Sequence, residues 1–329
     1  MPGLVRSAVA AVAVGAVAAA LTACMGTGVV AEPTEPAGPT VRVGAWPGVE
    51  PTLLGQILAG LLEAEGIDAE IVSLADPADA RQALELADVD VLVGYTGAAW
   101  LEVLERSDPP GDMRTSFARV REFDEGNGIT WVRPVFGRDG SFTESPVNAT
   151  FAFFVQGPPS RNAVIATLSD LASRLAQDES AQLCMDQDFA NRPDGREALF
   201  RAYGMSLERQ DIAAAPADAV LAVVNGQCLA ALSTASDGAA WRVGLQPVED
   251  DLEVFPAFVI ATQVRDEARL AVPGLVPAVA PLTSQLTAEL LGGWNARILN
   301  GAAPATVAAD AVQRLRALAG REANPTASS

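Results

Sequence analysis

Apolar positions along the chain follow two spacings that alternate. Val41–Ala45 reads as a short strand, and residues 52–65 as a helix in which Leu53, Leu54, Ile57, Leu58, Leu61 and Leu62 recur at helical spacing before Gly66, placed as a helix C-terminal glycine. Residues 69–74 and 89–94 then read as strands, and 76–86 and 96–106 as helices. Strand and helix in strict alternation predict a parallel sheet covered by helices, an α/β fold. Ligands of such sheets bind beyond the carboxyl ends of the strands, which points to Ala45-Trp46 and to Gly94-Tyr95-Thr96-Gly97.

The second half repeats the logic around a second core. Phe151–Gln156 reads as a strand, residues 168–176 as a helix, and 196–203 as a helix capped by Asp194 and ended by Gly204. A helix over 216–225, strands over 229–232 and 254–262, and helices over 273–282, 284–298 and 304–319 complete the chain, with a disordered tail from 322 to 329.

The N-terminus is patterned differently. Arg6 precedes an apolar run over residues 7–21, short for a membrane span and of the length of a secretory signal core. It ends in Leu21-Thr22-Ala23-Cys24, which looks like a bacterial lipobox: residues 1–23 would be removed, Cys24 lipidated, and 329 − 23 = 306 residues retained. Residues 24–40, rich in Gly, Pro, Thr and Glu, read as a flexible tether. The alternative is a cytosolic or simply secreted protein with a chance cysteine. Residues 268–282 are interrupted by Pro273, Pro277 and Pro281 and read as no second membrane segment. In an oxidising extracytoplasmic compartment Cys184 and Cys228 are expected to pair, the alternative being two buried thiols.

Charge narrows the chemistry. The 41 acidic residues outnumber the 22 basic ones for a net charge of −19, and every basic residue is Arg, with no Lys and no His. That composition removes the Ser-His-Asp and Cys-His nucleophiles, histidine metal ligands and Schiff-base lysines. A surface this acidic repels phosphate backbones, so a nucleic-acid partner is not expected. The enzyme reading left is a carboxylate pair such as Asp188 with Asp237 acting on a glycoside.

Several segments in order carry a resemblance: Val43-Gly44, Asp88-Val89-Asp90-Val91 followed by Tyr95-Thr96-Gly97, Gly128-Ile129-Thr130-Trp131, Asn148-Ala149-Thr150-Phe151-Ala152, Ser169-Asp170-Leu171, Asp188-Phe189-Ala190-Asn191-Arg192-Pro193-Asp194-Gly195, Ala202-Tyr203-Gly204, Ser236-Asp237-Gly238, Glu249-Asp250-Asp251 and Phe255-Pro256-Ala257-Phe258. Over nearly the whole mature length the chain resembles the solute-binding proteins of osmoprotectant ABC importers, which capture glycine betaine, choline, carnitine and similar quaternary amines. The resemblance implies a two-lobed periplasmic-binding-protein-like fold of type II, with one lobe over 41–147 plus 254–321, the other over 148–253, hinge crossovers near Asn148 and Val254, and a ligand cleft between them. It implies export to the outer face of the cell membrane, delivery to a membrane permease, a monomer, and neither cofactor nor metal.

Carried over residue by residue, Tyr95 takes a cage tyrosine position, while Phe151 and Phe258 stand where the family has tyrosines. Thr234 falls near a fourth cage tyrosine, with the register open by one or two residues. Trp46 replaces a polar or basic residue, and Ala98 a threonine. Arg192 matches the arginine that holds a ligand carboxylate, with Asp188 at a usual glutamate position. A quaternary ammonium has no N–H to donate and is held by ring faces at about 0.5–2 kcal/mol each when desolvated, so a cage of Trp and Phe still works. Taken singly, Trp46, Trp100, Phe151 and Phe258 also read as core residues, and Arg192 as a loop ion pair. A lipoprotein that reports to a sensor or other partner is the alternative to import.

Overall fold

The structure, a computed structural model, describes residues 38–136, 146–192, 195–209 and 211–323, without the side chains at 161, 163, 322 and 323. The signal segment, Cys24 and most of the tether lie outside the described residues, as do residues 137–145, Pro193 and Asp194, the expected helix cap.

Two sheets organise the described chain. The first contains β1 (Val41–Ala45), β2 (Ala69–Ser73), β3 (Val91–Tyr95), β4 (Ile129–Trp131) and, from much later in the chain, β10 (Ile260–Arg265), in the order β2-β1-β3-β10-β4. The second contains β5 (Phe151–Gln156), β6 (Leu183–Met185), β7 (Ile212–Ala213), β8 (Ala230–Thr234) and β9 (Leu245–Val248), in the order β7-β6-β8-β5-β9. The three strands whose alternation with helices predicts a parallel sheet do run parallel, β1 pairing in that sense with β2 and β3, but β10 joins the same sheet antiparallel to both β3 and β4. The chain leaves the first sheet after β4, builds the second, and re-enters from the opposite side, which reverses the last strand.

Helices cover both faces. Leu53, Leu54, Ile57, Leu58, Leu61 and Leu62 of α1 (Val49–Glu63) are buried in one core, against apolar residues of α11 (Leu275–Gln285) and α13 (Pro304–Ala323). The opposite face of that sheet is packed by α2 (Pro77–Glu85), α3 (Thr96–Glu102) and α4 (Met113–Glu125), pinned by one buried carboxylate. Asp124 accepts bonds from both Arg81 terminal nitrogens at 2.7 Å and from Trp131 Nε1 at 2.6 Å, and is itself fully buried. Such a pair holds its elements in register, because separating it strands a charge away from water. The second sheet is packed by α5 (Leu168–Gln177), α6 (Gln187–Asn191), α7 (Arg196–Ala202) and α8 (Pro216–Val224), with α9 (Gly238–Arg242) beside β9. Near its edge, Cys184 and Cys228 have Cα atoms 5.9 Å apart, a separation that a disulfide spans.

Four boundaries differ from the expected ones, the first two for local reasons. The strand expected over 254–262 begins only at Ile260, because Pro256 has no N–H and the groups of residues 256–259 bond to Thr96, Asn148, Ala149 and Thr150. The helix expected over 284–298 is divided: residues 284–285 end α11, and Thr287 caps α12 (Ala288–Leu299) by accepting from the Leu290 N–H. The N-cap of α7 is Gly195, with no side-chain cap, and α13 extends two residues into the expected tail. After β10, α10 (Asp266–Ala271) leads into α11.

α12 lies closely against α9, the last helix of the second half. A Cβ on Gly238 would come within 2.6 Å of the Asn295 backbone, and one on Gly292 within 2.1 Å of the Trp241 ring. Only glycine permits this approach, which carries Asn295 to the junction of the two halves.

Candidate functional site

The two segments that pass between the sheets run side by side. Asn148 and Val259 form an antiparallel bridge, the Ala149 N–H donates to Phe258 O at 2.9 Å, and the Ile260 N–H to Val147 O at 3.0 Å. Asn148 Oδ1 also accepts from the Phe258 N–H at 2.7 Å. Thr96, fully buried at the start of α3, fastens the pair: its hydroxyl donates to Ala257 O at 3.2 Å and accepts from the Val259 N–H at 3.0 Å. The ends of β3, β5 and β8 therefore meet at one place.

On the first-sheet side stand Trp46, just past β1, and Tyr95, at the end of β3. Their rings meet edge to face with centroids 6.5 Å apart, an arrangement favoured by the ring quadrupoles. The Tyr95 hydroxyl donates to Glu50 Oε1 at 2.8 Å, and Asn295 Nδ2 donates to Glu50 Oε2 at 3.0 Å and to Ser236 O at 3.0 Å. Burial first, then the Glu50 charge and this hydrogen bond, push the Tyr95 phenol well above its ordinary value. The phenol stays protonated, so it remains the donor to Glu50 and a neutral ring face.

On the second-sheet side Phe151 opens β5 and pairs in register with Thr234, the exposed last residue of β8. Phe151 rests on Phe189 and Phe255, with centroids at 5.0 and 5.9 Å, and both of these are buried. The exposed Arg192, at the end of α6, holds its guanidinium carbon 5.6 Å from the Phe151 ring centroid. Phe258 sits on the crossover, its ring against Gly97, where a Cβ would come within 2.6 Å of the ring.

A cavity of about 370 Å³ joins the two sides. Tyr95, Glu50 and Asn295 line it from the first half, and Thr234, Ser236 and Asp237 from the second. Of the residues expected at the site, Tyr95 and Thr234 line this cavity; Trp46 meets the Tyr95 ring, Phe151 pairs with Thr234 and lies under Arg192, and Phe258 lies on the crossover, but none of these four is in the lining. Asp188 is exposed on the first turn of α6, and no described contact ties it to this group. Asp237 caps α9 by accepting from the Ala239 N–H at 2.8 Å and also accepts from the Ser233 hydroxyl, which occupies it structurally. Two carboxylates, Glu50 and Asp237, on the lining of a partly apolar cavity make it receptive to a cation.

Glu50, Asn295, Phe189 and Phe255 are absent from the set picked out in the sequence. Glu50 is the acidic residue in the first turn of the otherwise apolar α1, and Asn295 a buried polar residue in the apolar α12. Each carried the signal of a polar residue where the pattern asks for an apolar one.

A family model for the substrate-binding domain of ABC-type glycine betaine transport systems, OpuAC, matches residues 39–314. The chain is 29% identical over 279 residues to a glycine-betaine-binding protein of Pseudomonas aeruginosa, covering 82% of this chain and 86% of that one. It is 26% identical over 288 residues to the glycine betaine-binding protein YehZ of Escherichia coli, covering 84% and 91%. The structure of apo YehZ superposes with a TM-score of 0.74 at 25% identity, over 84% of this chain and 98% of that one.

Replacement of Glu50 by Ala removes the acceptor of two half-buried or buried donors, Tyr95 Oη and Asn295 Nδ2. The expected loss in urea unfolding is about 1–3 kcal/mol, the cost of stranding such groups. An unchanged unfolding midpoint and slope would show that the carboxylate holds neither.

Proposed function

The chain belongs to the OpuAC family of substrate-binding domains of ABC-type glycine betaine transport systems, and from that premise we propose that it captures a quaternary-amine osmoprotectant between its lobes and delivers it to an ABC permease. The observation that carries this reading is the 370 Å³ cavity at the crossovers, which Tyr95 lines from one lobe and Thr234 from the other. A ligand that touches both lobes stabilises the closed arrangement over the open one, and a permease reads that difference.

In this reading Trp46, Tyr95, Phe151 and Phe258 supply the ring faces for the ammonium head. Tyr95 and the two phenylalanines present faces without an acidic proton to lose, and Glu50 behind Tyr95 adds negative potential. Arg192, above the Phe151 ring, takes the ligand carboxylate as a forked donor, with Thr234 beside Phe151; Asp188 is left outside the group. Three or four ring contacts and one charged contact are enough for micromolar binding, about −8 kcal/mol, after the cost of ordering. Glycine betaine, carrying a cationic head and an anionic tail, fits both features.

The same reading places the protein on the outer face of the cell membrane as a monomer, tethered through a lipid on Cys24, with Cys184 and Cys228 joined as a disulfide. Intact mass spectrometry of protein extracted from membranes checks both: a diacylglyceryl group on Cys24 and a gain of two hydrogens on reduction are expected, and an unmodified Cys24 or an unchanged mass removes the corresponding claim.

Isothermal calorimetry with glycine betaine, choline, carnitine and proline betaine tests the ligand. At least one binds, and Arg192→Ala weakens glycine betaine by about tenfold while leaving choline nearly unchanged, since only the former carries a carboxylate. Four titrations without heat, supported by an absence of thermal stabilisation, would overturn the quaternary-amine reading, and equal losses for both ligands would remove Arg192 from the carboxylate site.

A further inference from the structure

A second cavity, of about 220 Å³, lies behind Trp46 and shares only Glu50 and Tyr95 with the cavity at the crossovers. Its wall is mainly apolar, formed by the Trp46 and Tyr95 rings with Leu92, Val93 and the small Ala98 and Ala99. Apolar cavities of about 150 Å³ accept a benzene ring, so this one is ring-sized.

One polar side chain in its lining is unexplained by the fold. Gln263, on β10, is 3% exposed, yet its Oε1 has no hydrogen-bond partner. Its carboxamide lies directly over Gly94: a Cβ at that position would come within 2.1 Å of Gln263 Nε2. A glycine and a buried, unanswered carboxamide side by side cost stability twice, in backbone freedom and in desolvation. Leu or Met at 263 would pack against the same wall without that cost. The pairing makes sense if something outside the chain answers the amide.

We propose that this cavity is a second ligand subsite, which receives a ring-sized planar substituent carried on the ammonium ligand and accepts an N–H of that substituent at Gln263 Oε1. The proposal rests on the quaternary-amine reading of the cleft. The head stays among the ring faces at the crossovers, and the substituent passes Tyr95 and Glu50, the two residues common to both cavities. The preferred ligand is therefore larger than trimethylated glycine: an ammonium compound with a flat, N–H-bearing arm. Glu50 borders both compartments, so its charge favours an N–H donor in one as well as the cationic head in the other.

Three probes separate the head from the arm: tetramethylammonium, benzyltrimethylammonium and (4-carbamoylbenzyl)trimethylammonium, each titrated by calorimetry into the full mature chain. The benzyl compound is expected to bind about tenfold or more tighter than tetramethylammonium from ring burial, and the carbamoyl compound several-fold tighter again. Ala99→Leu, which fills the cavity from α3, is expected to erase the gain from the ring while leaving tetramethylammonium unchanged. Gln263→Met is expected to erase only the increment from the carbamoyl group, and it keeps the test in force should the leucine variant fail to fold. Binding of tetramethylammonium with no gain from either arm would overturn the subsite while leaving the cleft reading intact, as would equal weakening of all three probes in both variants. Silence from all three probes would overturn the ammonium reading and the subsite with it.

Discussion

Two chain segments that cross between the sheets and hydrogen-bond to each other are the constraint on which the site depends. Asn148 and Val259 pair, and the Thr96 hydroxyl holds the second crossover to the start of α3. Because the crossovers are adjacent, the residues next to them lie close together. Tyr95 is paired in register with Ile260, just after one crossover, and Phe151 begins the strand that follows the other. A cleft at this point is a consequence of connectivity, and its chemistry is then a matter of which side chains stand at a few strand ends.

Those side chains divide the work by burial. Phe151 is set by Phe189 and Phe255 beneath it, so its outer face is presented without strain. Tyr95 is set by Glu50, which is in turn held by Asn295 from α12. The close packing of α12 on α9, made possible by Gly238 and Gly292, is what carries Asn295 there. Rings fixed by partners would lose little freedom when a ligand arrives, so in the proposed reading modest ring contacts accumulate into useful affinity.

Much of this was legible in the chain. The leucines of α1 and the apolar β3 have strong, regular spacing, and the ordered segments around Tyr95, Phe151 and Arg192 point to strand ends and a cleft. What escaped reading depends on distance. The reversed direction of β10 follows from the route of the chain through the second sheet, which no local pattern records. The Glu50–Asn295 contact joins residues 245 positions apart, so although each is a polar residue in an apolar helix, nothing local says that they meet. α4 escaped because its buried face consists of Ser116, Phe117, Val120 and Asp124 among many charges, a pattern that makes sense only once Arg81 and Trp131 are seen to satisfy Asp124.

The central claim is that a small cation drawn into the cavity at the crossovers brings the two lobes together. Small-angle X-ray scattering of the mature protein, alone and saturated with the quaternary amine that gives the largest calorimetric signal, tests it directly. The account predicts a smaller radius of gyration in the presence of the amine, reversed when the amine is dialysed away. Identical scattering curves under saturating ligand would contradict it.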